Sequence, residues 1–174
     1  MIESLSDPAQ RHAMLAHLPI AISVLGVLLA IALLIRAGRS PALRWILVSF
    51  YGLGALLSYL AQKAGGEAHH KLDVVGMTQQ ATHLFEEHAQ LGSKLWMAML
   101  ACAVLALLTL FKHKAVRWTT SSLVLIATLA TAMMVAEVAH HGGQMVYDQG
   151  VGVPTSPNNV NPDTVGHDHD EQAH

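Results

Sequence analysis

The sequence predicts an all-α fold: a four-transmembrane-helix antiparallel bundle with an extended outer segment before helix three and a glycine-rich C-terminal cover. Of the 174 residues, 52% are hydrophobic and only 13% are charged. That is more apolar surface than a soluble core of this size can hide. Four apolar runs approach the roughly 20 residues that a helix needs to cross a bilayer core. The links RAGRSPALR and KHKAVR are short enough to make hairpins of neighbouring helices. A segment in hydrocarbon must satisfy its own backbone polar groups, so these runs are helices.

Helix one is placed at 18–35, LPIAISVLGVLLAIALLI. Its polar lead-in carries His12 and His17, and Pro19 suits a first turn or a slight bend if the helix begins earlier. Helix two is placed at 45–61, WILVSFYGLGALLSYLA, with Gly65-Gly66 expected to interrupt it. The apolar run of helix three is 95–111, LWMAMLACAVLALLTLF. Only Gly92 punctuates the chain between Thr78 and that run, so the helix is expected to continue outward and carry His83, Glu86, Glu87 and His88. Helix four is placed at 119–139, TTSSLVLIATLATAMMVAEVA, and is expected to break at Gly142-Gly143. Beyond it, GGQMVYDQGVGV is expected to fold back over the bundle end with Tyr147 above the histidines. Residues 1–153 form the membrane domain, and 154–174 form a flexible His- and Asp-rich tail. The acidic start MIESLSDPAQRHAM predicts no cleavable leader.

Charge orients the bundle. Arg36, Arg39, Arg44, Lys112, Lys114 and Arg117 fall in the two short links, which the positive-inside rule places in the cytoplasm. All 12 acidic residues lie at the other end, so the two ends carry about +6 and −8. Both termini are then outside. Eleven of the 12 histidines share that outer side, His113 being the exception. The single cysteine, Cys102, lies within an apolar run and excludes a disulfide framework or a paired-thiol metal motif.

Such segregation points to metal chemistry, because neutral imidazole is a common ligand for haem iron, zinc and copper. The plain alternative is a hydrogen-bonded polar lid over the bundle. In the first functional reading a b-type haem is held by two histidines and exchanges electrons with a periplasmic cytochrome or a quinone. His17 and His140 are the preferred ligands, at similar depth near the lipid boundary, with His88 in reserve and His12 and Tyr147 adjoining. In the second, one or two non-haem ions (Zn, Cu or Fe) bind among His17, His83, Glu87, His88, Glu137, His140 and His141. The spacing Glu-x-x-His, used in di-iron bundles, occurs at Glu67/His70 and Glu137/His140. In a third, the chain is a structural subunit of a larger membrane complex or homo-oligomer. No phosphate-cradling loop, nucleophile elbow or nucleic-acid-binding basic stripe is present. Electron transfer or metal binding is therefore expected rather than enzymatic turnover, with the lipid bilayer as the one certain surrounding.

The stretches HAMLAHLPIAI, ATHLFEEHAQLG and GGQMVYDQGVGV resemble the bacterial membrane-protein family known as domain of unknown function 2231. Its pattern runs His-Pro-x-x-x-His-Phe-Pro at the start and Gly-Gly-x-Leu-Val-Tyr-x-x-Gly-Val-Gly-Val at the end. The matching positions are His12, His17, Pro19, Gly142, Gly143, Val146, Tyr147, Gly150, Val151, Gly152 and Val153. Ala13, Leu18 and Met145 depart from it. The resemblance implies a multi-pass protein of the bacterial inner membrane and, since some relatives are joined to cytochrome c type domains, a redox setting.

Overall fold

The computed structural model describes residues 7–36, 39–69, 78–111 and 113–150. They form four long helices: α1 (Pro8–Ile35), α2 (Pro41–His69), α3 (Gln79–Leu108) and α4 (Lys114–Tyr147). All four are long and apolar enough to cross a membrane. Three of the four starts have a side-chain cap. Asp7 accepts from the amide of Ala9 with Pro8 in the first turn, and Thr78 accepts from the amide of Ala81. Ser40 does the same for Leu43 at the head of α2. The chain leaves α4 through Asp148 and reaches a left-handed conformation at Gly150 (φ 65°).

The helices pack in a ring, with α1 and α3 on one diagonal and α2 and α4 on the other. The first turns of α1 meet the last of α2, through Arg11–Glu67 and His12–Ala61. The head of α3 meets the tail of α4, through Thr78–Gln149 and His88–Val138. Two opposite ends result. One carries the paired histidines; the other carries Arg36, Arg44, His113 and Arg117.

Every helix outruns its apolar stretch at the histidine end. α1 begins before His12, and α3 begins at Gln79, as the lack of turn residues after Thr78 suggested. Gly65-Gly66 does not interrupt α2, and Gly142-Gly143 does not break α4, which continues to Tyr147. A helical glycine costs up to about 1 kcal/mol against alanine, but neighbours on both sides hold these turns in place. Ala61, Ala64 and Met145 are buried, and Glu67 pairs with Arg11 at 2.6 Å. The expected cover is thus helix as far as Tyr147, while 151–153 and His70 lie outside the described residues.

The interior is built from small side chains that let backbones approach, among them Gly26, Ala30, Gly54, Ala55, Ala103 and Ala106. Many long aliphatic residues face outward instead, among them Leu28 on α1, Leu56 on α2, Val104 on α3, Ile126 and Met133 on α4. An apolar belt of that extent is far beyond what a water-soluble monomer exposes.

Candidate metal centre at the histidine end

The ring of helices brings His12 of α1 and His88 of α3 together across its diagonal. Their imidazoles stand edge to face, with centroids 6.1 Å apart and planes at 73°. Nδ1 of His12 lies 2.7 Å from the carbonyl oxygen of Ala61 on α2, and Nδ1 of His88 lies 2.9 Å from that of Val138 on α4. A carbonyl oxygen only accepts, so both Nδ1 atoms carry the proton. In the neutral rings both Nε2 atoms keep a free lone pair. Metal-binding histidines are held in this way, by a backbone partner that fixes the tautomer and the ring plane.

The other diagonal supplies space. A Cβ at Gly65 on α2 would fall 2.9 Å from Nδ1 of His12, and one at Gly142 on α4 would fall 3.2 Å from Cε1 of His88. Both rings therefore rest on bare helix backbone. Sequence reasoning missed these two glycines by treating each Gly-Gly pair as a break. The available signal was that both pairs lie at the histidine end.

A second group lies beside the pair. His141 is mostly enclosed, its side chain 13% exposed, with Nε2 3.5 Å from Glu137 and 3.7 Å from Glu87. Glu87 also stands 3.6 Å from Nδ1 of His83. Nδ1 of His141 is buried without a hydrogen-bond partner. Burial lowers the proton affinity of His88 below the ordinary imidazole value; the Val138 carbonyl opposes this, and His12 and His141 add to it. His88 precedes by seven residues the apolar run that starts at Leu95.

The remaining candidates stand apart from the pair. His17 is exposed, and its Nδ1 bonds the carbonyl of Ala13 one turn earlier in its own helix, at 2.5 Å. His140 is exposed, and Tyr147 is 88% exposed rather than folded over the histidines. An open groove between the head of α3 and the tail of α4 takes in His83, Gln79, Gln144 and Asp148 but neither paired histidine. Among the described residues, no three His, Cys, Asp or Glu side chains come together so as to hold one ion.

The chain matches no family model, no curated protein and no solved structure. In the site's geometry His12 is half of the ring pair and Gly142 is the floor under His88.

Proposed function

We propose that the chain crosses a bacterial inner membrane four times as an antiparallel bundle, with both termini periplasmic. At its outer end it binds b-type haem between His12 and His88 and passes electrons to or from a periplasmic carrier or a quinone. Aromatic residues support the placement in lipid. Trp45, Phe111 and Trp118 are exposed near the arginine end, and Tyr59 packs against Trp96 (5.9 Å) towards the other. Trp45 and Tyr59 are separated by about 21 Å of helix, less than the roughly 30 Å of an average hydrocarbon core, so belts at these levels require locally thinned lipid. The paired histidines then lie beyond the outer belt, His88 by about 12 Å of helix past Trp96.

The observation that carries the haem reading is the ring pair with both Nδ1 atoms committed to backbone carbonyls. His12 and His88 would be the two ligands, and their edge-to-face contact, with centroids 6.1 Å apart, would have to open to admit the metal. A non-haem ion draws three or four ligands from protein. Haem needs two, because it brings four equatorial nitrogens and, when bound, supplies the one-electron couple. Ala61 and Val138 fix the rings, and Gly65 and Gly142 leave them room. Its exposure makes His17 a poorer ligand than His12.

The test is a reduced-minus-oxidised visible spectrum of the detergent-purified full chain, with elemental analysis of the same sample. Sharp alpha and Soret bands with iron near one per chain are expected. His12→Ala and His88→Ala should each abolish them, while His17→Ala and His140→Ala keep them. A colourless sample holding zinc or copper that is lost in the same two variants would replace haem by a single ion on the same rings. A colourless, metal-free protein purified with partners would leave the structural-subunit reading.

A further inference from the structure

The core of the bundle is mainly apolar, but α4 brings a row of hydroxyls into it. On α4 the exposed positions carry Leu123, Ile126, Leu129 and Met133, whereas Thr120, Ser121, Thr128 and Thr131 are buried. Much of this hydroxyl content has a plain structural use. Thr120 donates to the carbonyl of Val116, Thr128 to that of Leu125 and Thr131 to that of Ala127, each within its own helix.

Two hydroxyls escape that explanation. Ser121 and Tyr51 are both 0% exposed, and neither hydroxyl has a hydrogen-bond partner. Tyr51 reaches from α2 towards Thr128 without completing a bond of full geometry, and it occupies the space that Gly26 of α1 leaves open. An unpaired hydroxyl in an apolar core is costly, and water is the usual remedy where polar partners converge. The partners are present. Thr128 and Thr131 keep acceptor capacity beside their own donated bonds, and Cys102 Sγ lies 3.3 Å from Thr131 Oγ1. Towards the histidine end, Ser58 has only a thioether, Met99 Sδ at 3.4 Å, as acceptor. One turn further, Ala61 holds His12.

We propose that the bundle core holds a file of water molecules linking Ser121, Tyr51 with Thr128, Cys102 with Thr131, and Ser58 to the histidine end, and that protons pass along it. Ser121 to Thr128 and Tyr51 to Ser58 are each seven residues apart, about 10 Å of helix, a gap that a few waters bridge. In each hop an oxygen takes a proton from the neighbour on one side as it gives its own to the other. Nothing is oxidised or reduced, and the sum is one proton moved along the bundle axis. Polar side chains facing the interior of an apolar bundle serve as such relays. The inference stands whether or not the histidine end binds haem.

The test uses the purified full chain in liposomes with a trapped pH-sensitive dye and a potassium diffusion potential set by valinomycin. Internal pH should change faster than in protein-free vesicles. Tyr51→Phe and Ser121→Ala, each removing one oxygen, should return the rate to the protein-free level. Ser122→Ala should leave it unchanged, because that hydroxyl bonds the carbonyl of Trp118 in its own helix. Circular dichroism and size-exclusion profiles matching the parent protein confirm that the variants are folded. A parent rate equal to that of empty vesicles, or a rate untouched by both Tyr51→Phe and Ser121→Ala, overturns the proposal.

Discussion

A methyl group added at Gly65 would stand 2.9 Å from Nδ1 of His12, whereas one added at Gly66 would meet nothing within 4 Å. Both glycines are helical, so alanine at either gains about 0.5–1 kcal/mol of helix stability. At Gly66 that gain is unopposed, and Gly66→Ala should raise the melting temperature of the detergent-solubilised protein. At Gly65 the ring cannot withdraw without losing its bond to Ala61, and overpacking of this kind costs about 1–3 kcal/mol. Gly65→Ala should therefore lower the melting temperature and the Soret absorbance per chain together. A stabilising Gly65→Ala with full Soret intensity would remove the ring seat from the account. Gly142 and Gly143 repeat the contrast in milder form, with a 3.2 Å approach to His88 at the first and open space at the second. Residue identity alone gave no hint of the difference, since the two members of each pair are the same amino acid and only the packed partner helix distinguishes them.

The helices themselves were legible from hydropathy, and their ends at the histidine side, α3 excepted, were not. Apolar runs mark where a helix can face lipid, so they located the middle of all four elements and understated each at the histidine end. The missing turns are held by polar contacts between elements distant in sequence: Arg11 with Glu67, His12 with Ala61, His88 with Val138, Thr78 with Gln149. No local pattern announces a carbonyl acceptor fifty residues away. Thr78 has a double role at such an end, accepting from Ala81 and donating to Gln149 at 3.0 Å. Loss of a cap of this type costs about 1 kcal/mol. Thr78→Ala should accordingly speed amide exchange in the first turns of α3 and the last turns of α4 alike, with Thr78→Ser restoring both. Faster exchange in α3 alone would mean that the Gln149 contact contributes nothing to holding α4. In the middle of the bundle, Gly26→Ala should be among the most disruptive single changes, since its new Cβ would collide with the rigid phenol of Tyr51.

Over the whole molecule, the segregation of the basic links and the histidines to opposite ends was visible from composition and order alone, because the positive-inside rule reads where basic residues cluster. Which histidines meet depended on facing, which a 3.6-residue period leaves open once a helix is apolar all round. His17 and His140, expected at similar depth, are exposed; His12 and His88 face across the diagonal. The consequence reaches stability. In the cofactor-free chain the rings that bear on His88 are His12 from α1 and His141 from α4, and Glu87 and Glu137 pair with His141. Burial holds the folded proton affinity of His88 below the unfolded value of 6.5. As pH falls through about 6.5 the unfolded chain binds this proton first, so unfolding takes up protons and the folded state loses stability until the folded ring also titrates. Above that value the contribution is constant. Thermal or denaturant unfolding measured from pH 8 down to pH 5 should therefore show stability flat and then falling, and His88→Gln, which cannot charge, should reduce the fall. Haem on Nε2 would compete with the same proton, so the loaded protein should hold its stability to lower pH than the cofactor-free chain. If the loaded and cofactor-free forms lose stability in parallel, His88 is not a ligand, whatever the spectrum shows.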